Sequence, residues 1–428
     1  MTPKSRPMVW FITHGARVLA AVLGLSVVGV LFTSLPSTKL TLEAGTKGGL
    51  FDVMANDLAD ALAPHGIDVE IINRPDSLRI IDDIANDNSP IEGGFIASDV
   101  PETYHRSIRQ VGTVMLTPVY LLASAGSEIT SITDFNGRTI SLYPEGSAAW
   151  STCQYVLRSY GVKTAEASYG NGPTIVRNVA GGTTEVGCFI DVPSGSKLAY
   201  SKIILAELAD ERLRYIEIPQ AEALQAQQDY LRPVTIPAGA FTVYPPRPAT
   251  GIATNGAVLS FVAKDHLPQE LVTMIAHTLA QQYRGSTAVN QAGDLPSTRF
   301  VGLPAFQTAT NIYADGLPWM YRMLPFRAAA FVDKFLSQYG LLLTFLFLAI
   351  SFLDSLGFHK PYQLIEATRP RRMKILVESI YERTQATGTL SDADRRRLES
   401  VERWLQKEST GLEQIESRIN ELREPNRD

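Results

Sequence analysis

Apolar and polar positions alternate along the chain in two different rhythms. Lys39-Leu40-Thr41-Leu42-Glu43-Ala44 has the two-residue period of a strand. Phe51 to Leu62 places Val53, Met54, Leu58 and Leu62 near one face of a helix. Strands are expected again at 69–72 and 93–97, with a helix from Ser77 to Asn86 between them. A second block repeats the order: strand 139–142, helix 148–160, strand 165–169, a helix near 174–179, and strand 186–190. Strand–helix–strand at this spacing predicts parallel α/β units. Two such blocks in sequence predict two lobes with a cleft between them.

Two longer runs break this rhythm. Residues 18–38 and 335–353 carry no charge, and each is long enough to cross about 30 Å of hydrocarbon as a helix. A cleaved signal peptide is the alternative for the first run, and a buried core helix for the second. Leu35, Pro36 and Lys39 stand where a small-residue cleavage site would be sought, which favours an uncleaved anchor. Lys4, Arg6 and Arg17 precede the first run, and Lys360, Arg369, Arg371, Arg372 and Lys374 follow the second. The positive-inside rule then places both termini in the cytoplasm and the centre outside it. Charge agrees: the first 38 residues carry +3 and residues 359–428 carry +1, leaving −9 for 39–358.

The expected organisation is an N-terminal anchor at 1–38, lobe I at 39–120, lobe II at 121–248 and a return to lobe I at 249–334. A membrane helix follows at 335–358, then a helical hairpin or coiled coil at 359–428. In this tail Leu398, Val401, Leu405, Leu412, Ile415, Ile419 and Leu422 form a 3-4 stripe interrupted by Glu408. A homodimer through that stripe and a self-packed hairpin are both open.

The order of motifs resembles that of the TAXI-type solute-binding proteins of TRAP transporters, which have the type II periplasmic-binding-protein fold. Leu40 to Gly49 is similar to the family's opening strand and glycine turn, with Lys47 in place of a small residue. Asn73 to Arg79 stands where the family has a Gly-Ser-x-x-Asn-Leu helix start, without its glycine and asparagine. Val111 to Leu121 resembles the strand entering the hinge, and Ile132 to Ile140 the stretch that opens the second lobe. Pro144-Glu145-Gly146-Ser147, Ile190 to Gly195, Ile236 to Phe241 and Leu317 to Phe326 follow in family order; the last of these resembles a juxtamembrane segment. The resemblance covers about 39–360. It implies an α/β fold of two lobes, flanked here by two transmembrane helices and a helical tail, that binds a small carboxylate or amino acid and delivers it to TRAP permease subunits.

Ligands bind at the carboxyl ends of parallel strands, so the turns there supply the candidate site. Gly45, Thr46, Lys47, Gly48 and Gly49 in one lobe, and Gly146, Ser147 and Ala148 in the other, would aim backbone N–H groups at an anion. Ordinary capped βα turns, with Ser77 and Ser147 as caps, are the alternative. Lys47 and Arg74 are candidate carboxylate partners, or solvated loop charges. Ser98 and Asp99 end the third strand. Asp191 either meets a ligand amine or caps its own turn, and Tyr120 either walls the cleft or belongs to the core. Cys153 and Cys188, the chain's two cysteines, would both lie outside the cytoplasm, as free buried thiols or as a disulfide.

Composition excludes other classes. A net charge of −5 gives no basic surface for nucleic acid, and 45% hydrophobic residues argue against disorder. The six histidines are scattered, with no His-Glu-x-x-His, Gly-x-Ser-x-Gly or phosphate-binding loop. No catalytic residue, metal or cofactor is expected. The remaining alternative to a transport receptor is a ligand sensor or adaptor that couples the outer domain to the tail.

Overall fold

The computed structural model describes residues 36–300, 302–355, 374–386 and 390–405. They fall into two compact units, 1–336 and 337–428.

The first unit is built on one mixed sheet. Strand β1 (Lys39–Ala44) is followed by helix α1 (Leu50–Leu62), β2 (Asp68–Asn73), the short helix α2 (Ile80–Ala85) and β3 (Gly93–Ile96). β1 pairs in parallel with β2 and β3, so each helix is the crossover that parallel strands require. The expected helix over 77–86 is divided. The Asp76 carboxylate accepts from the Leu78 N–H, and Ser77–Arg79 forms a tight 3₁₀ turn before α2 begins. Leu40, Leu42 and Ala44 are buried with Met54 and Leu58 of α1. Glu43, on the opposite face of β1, is buried as well.

Two long strands run through both halves of the sheet: β4 (Ile108–Ser124) and, far later in the chain, β10 (Ile252–Lys264). Residues 108–118 of β4 pair antiparallel with β10, and residues 119–123 pair instead with β7 (Val186–Ile190). β10 likewise pairs with β3 through 260–263 and with β9 (Leu231–Ile236) through 252–257. Pro118 stands where β4 changes partners; it has no N–H to give, and its carbonyl accepts from Asp191.

The second half repeats the first. β5 (Ile140–Leu142), α3 (Ala148–Ser159), β6 (Ala167–Tyr169), α4 (Gly172–Ala180) and β7 follow in order, and β5 pairs in parallel with β6 and β7. α5 (Ser201–Leu208), β8 (Leu213–Ile216) and α6 (Ala221–Gln227) lead to β9, and β8 pairs with β4. The sheet path is β2-β1-β3-β10-β4-β7-β5-β6. α7 (Gln269–Tyr283), α8 (Gln307–Asp315), α9 (Trp319–Met323) and α10 (Phe326–Ser355) follow β10. Cys153 of α3 and Cys188 of β7 form a disulfide, so the free-thiol alternative is corrected. The two residues face each other inside one buried cluster with Phe135 and Val156, an adjacency that sequence spacing does not reveal.

The expected membrane helices are not supported. Residues 18–35 of the first run lie outside the described residues. The second run falls on α10, several of whose side chains also lie outside them. Among the described residues no helix is long and apolar enough to cross a membrane.

In the second unit, helix α11 (374–386) and helix α12 (Asp392–Leu405) share an apolar cluster in which Val377 and Ile380 pack with Leu398 and Val401. Arg383 and Arg397 both approach Asp394, at 3.5 and 3.6 Å. Leu398 and Val401 of the expected stripe thus face the preceding helix of the same chain. Glu408, Leu412, Ile415, Ile419 and Leu422 lie outside the described residues.

Candidate functional site

The carboxyl ends of β1, β5 and β6 and their following turns converge on one cleft of about 280 Å³. Gly45, Thr46, Lys47, Gly48 and Gly49 line it from the first half, with Leu50, Phe51, Pro75 and Ser77. Ser147 and Ala148 line it from the second half, with Tyr143, Pro144, Ala149, Gly170, Asn171 and Ile190. Ala97, Thr117 and Leu259, from the end of β3 and from the two long strands, complete the lining. Lys47 is the single charged side chain among these residues.

Three helix starts face this space, and they are not equivalent. At α1, Gly48 has a φ of +77°, which lets the chain turn back. The Gly48 N–H donates to the Asp52 carboxylate at 2.7 Å, and the Gly49 N–H to the Thr46 carbonyl at 2.9 Å. Asp52 is buried and is also held by the Asn56 and Asn73 amides, at 3.1 and 2.8 Å. Part of the glycine turn is therefore satisfied inside its own lobe. The N–H groups of Leu50 and Phe51 have no acceptor among the described residues.

At α3 the Ser147 hydroxyl accepts from the Trp150 N–H at 3.1 Å and donates to the Pro144 carbonyl at 2.7 Å. The Ala148 N–H crosses the cleft to Ser77 Oγ, 3.1 Å away. Gly146 does not line the cleft. Its carbonyl accepts from the Leu78 N–H at 3.4 Å, and its φ of +81° sets the turn against Asp76.

At α4 the Asn171 side chain accepts from the Thr174 N–H at 3.0 Å. Pro173 has no N–H, and the Gly172 N–H is directed at the Tyr143 hydroxyl. Asn171-Gly172-Pro173 has the sequence of a capped helix start with proline in the first turn. That sequence signal locates this third wall. Tyr143, at the end of β5 just before Pro144, was legible from its position after the strand.

Besides Gly146, five expected site residues lie outside the lining. Arg74 pairs with Asp83, and its guanidinium is 3.9 Å from Glu43. It answers carboxylates of its own lobe in this structure and does not line the cleft. Glu43 is completely buried with both carboxylate oxygens unbonded. Burial and the neighbouring Asp83 push its pKa up to about 7, against the opposing pull of Arg74 and Arg79. Tyr120 is buried in the core, stacked on Phe189 with ring centroids 5.1 Å apart, and donates to the Val192 carbonyl. Ser98 is outside the lining, and Asp99 faces Asp229 and Tyr230. Burial, and secondarily Asp229, raises the Asp99 pKa. Asp191 is wholly buried behind the cleft wall. It accepts from the Tyr143 and Tyr200 hydroxyls at 3.1 and 3.0 Å and from the Val192 N–H at 2.8 Å. Burial raises its pKa to about 6 against those hydrogen bonds. Among the described residues no group of His, Cys, Asp and Glu is arranged to hold a metal ion.

Residues 100–296 match the NMT1-like family. No curated protein matches the chain. Solved structures with a similar course include one from work on glutathione import via GshT and the cystine importer of Streptococcus mutans. It has 13% identity and a TM-score of 0.38, over 61% of this chain and 100% of that one. An ancestral arginine-binding protein bound to arginine gives 13% and 0.35, over 59% and 96%. A histidine kinase sensor domain with similarity to periplasmic binding proteins gives 12% and 0.34, over 57% and 90%. At such scores these proteins' ligands carry no argument for this chain. The strand order describes an α/β fold of two similar halves that share the long strands β4 and β10.

Proposed function

We propose that this chain is an extracytoplasmic solute receptor, not an enzyme, and that it closes lobe I (39–120 and 249–334) and lobe II (121–248) on a small carboxylate or amino acid. One observation carries the reading: unused backbone N–H groups at the start of α1 and the Lys47 side chain face one interlobe cleft. A helix start and an ammonium group both favour an anion. Delivery to a TRAP-type permease is the partner reading that the order of sequence motifs supports. The membrane part also rests on sequence, namely the uncharged runs 18–38 and 335–353 and their basic flanks.

Small carboxylates are expected to raise the melting temperature of the full chain, and Lys47→Gln is expected to shrink that rise. A screen in which no carboxylate or amino acid shifts the wild-type chain would sink the receptor reading. Alkaline phosphatase fused near residue 250 should be active, and fused at the C-terminus inactive; an active C-terminal fusion would remove the two-span arrangement.

The second unit favours a second reading. A delivery protein has no need of a separate helical unit, whereas a sensor or adaptor does. Deleting residues 359–428 separates the two: unchanged uptake supports delivery, and lost downstream response with intact binding supports sensing. A homodimer through the tail would appear as a concentration-dependent mass of the full chain.

A further inference from the structure

A second cavity, of about 180 Å³, shares no lining residue with the cleft. Asp57 of α1, Gln282 and Tyr283 at the end of α7, and Lys197, between β7 and α5, stand around it. A smaller cavity shares Lys197, Gln282 and Tyr283 with it. Several polar groups here have no partner. The Gln282 amide N–H donates to the Asp57 carbonyl at 3.1 Å, but its Oε1 is buried and unbonded among the described residues. Tyr283 is only 9% exposed, and its hydroxyl is likewise buried and unbonded. Burial and the Asp57 carboxylate push the pKa of that phenol up, so it stays a hydroxyl that can donate or accept. The space exceeds what one water needs, and folded proteins leave few buried polar atoms without a partner.

Charge sorts the walls. Asp57 and Lys197 face the same cavity, and neither makes an ion pair among the described residues. Burial, and secondarily Asp60, raises the Asp57 pKa, as expected of a carboxylate without a counter-ion. The Lys197 stem runs over Gly285, in the turn after α7, where a Cβ would stand 3.5 Å from Cε and 3.9 Å from Nζ. Acceptors on α1 and α7 thus share the cavity with one ammonium donor. A lone cation would meet Lys197, and a lone anion would meet Asp57. We propose that this cavity is a second ligand site, and that it takes a small zwitterionic amino acid. The ligand's ammonium group binds the Asp57 carboxylate, Gln282 Oε1 and the Tyr283 hydroxyl, and its carboxylate binds Lys197. Bound there, it ties the chain after β7 to α1 and α7. The inference stands apart from the receptor reading, whose ligand occupies the cleft.

The test titrates the full chain by calorimetry with glycine, β-alanine and 4-aminobutyrate, which differ in the distance between their charges. At least one is expected to bind, and propylamine and propionate, each with a single charge, to bind about tenfold more weakly. Asp57 is half-buried and Lys197 exposed, so both tolerate substitution. Asp57→Asn and Lys197→Gln should each weaken one and the same binding event about tenfold. Tyr283→Phe removes only the hydroxyl and should weaken that event about threefold. Should Tyr283→Phe not fold, the two charge variants decide alone. Binding unchanged by both charge variants would put the ligand outside this cavity and overturn the inference. So would propylamine or propionate binding as tightly as the zwitterion. If none of the three amino acids binds with a Kd below about 10 mM, the cavity holds water only and the inference falls. The receptor reading is tested separately, by the carboxylate-induced melting shift that Lys47→Gln reduces.

Discussion

The Tyr143 hydroxyl donates to the Asp191 carboxylate at 3.1 Å, tying the wall of the cleft to a fully buried acid. Tyr200 donates to the same oxygen at 3.0 Å. The arrangement fixes the ring of Tyr143 and leaves Asp191 out of reach of a ligand. Asp191 is thus a positioning residue for the cleft wall.

The pKa of Asp191 makes this bond visible in stability. Folding raises the pKa from 3.8 to about 6, through burial. The folded state therefore holds its proton longer than the unfolded state. Stability from this group is fully present below about pH 4 and is lost as pH rises through 6. A rise of that size corresponds to roughly 3 kcal/mol. Urea midpoints measured from pH 4 to 8 should fall over this window, and Asp191→Asn should flatten that part of the curve. A variant whose profile matches the wild type would remove the assignment.

Glu43 adds a second window with the same sign. Its folded pKa of about 7 lies above the ordinary 4.5, so its contribution is present below about pH 4.5 and is lost as pH rises through 7. Arg74 opposes that loss. Arg74→Ala should lower stability at pH 7 by about 1 kcal/mol, a modest figure because the guanidinium is 38% exposed. It should leave the carboxylate-induced melting shift unchanged, since Arg74 is not part of the cleft. Loss of that shift in a folded Arg74→Ala protein would return Arg74 to the site.

The two α/β blocks were legible because local periodicity and glycine turns encode them. Strand 186–190 and helix starts such as Ala148 follow from pattern alone. The passage of β4 and β10 between two sets of partners was not legible, since pairing between Gly256 and Pro118 joins residues far apart in sequence. The same limit applies at the site. The glycine turn and Ser147 could be read as N–H donors, but whether those donors were already used could not. Asp52, one turn into its own helix, is a local competitor that spacing permits; Ser77 acting on Ala148 is a long-range one that only the folded chain reveals. Arg74 misled because its acids, Asp83 and Glu43, come from different elements.

The disulfide joins α3, whose start lines the cleft, to β7, whose end does. It closes a separation of 35 residues, which by loop entropy corresponds to about 3–4 kcal/mol. The double variant Cys153→Ser with Cys188→Ser should lose stability on that scale. A reductant should lower the wild-type melting temperature and leave the variant unmoved. Equal sensitivity of both proteins would exclude the bond as the cause.

Gly48 and Gly146 separate two reasons for a glycine turn. Both have positive φ, so an alanine at either site carries a backbone cost of about 1–2 kcal/mol. Their surroundings differ. A Cβ on Gly48 meets nothing within 4 Å, whereas one on Gly146 comes within 3.3 Å of the Asp76 carboxyl group. Asp76 holds the Leu78 N–H, which also reaches the Gly146 carbonyl, so pressure there acts on the contact between the two turns. Gly48→Ala should therefore lower stability with little change in the ligand dissociation rate. Gly146→Ala should lower stability by a similar amount and also speed dissociation, because it presses on the bonds that residues 76–78 make with residues 146–148. Stopped-flow displacement on the two variants measures the difference. Equal dissociation rates would mean that the 76–78 contact does not hold the cleft shut, and that both glycines serve only the turn of the backbone.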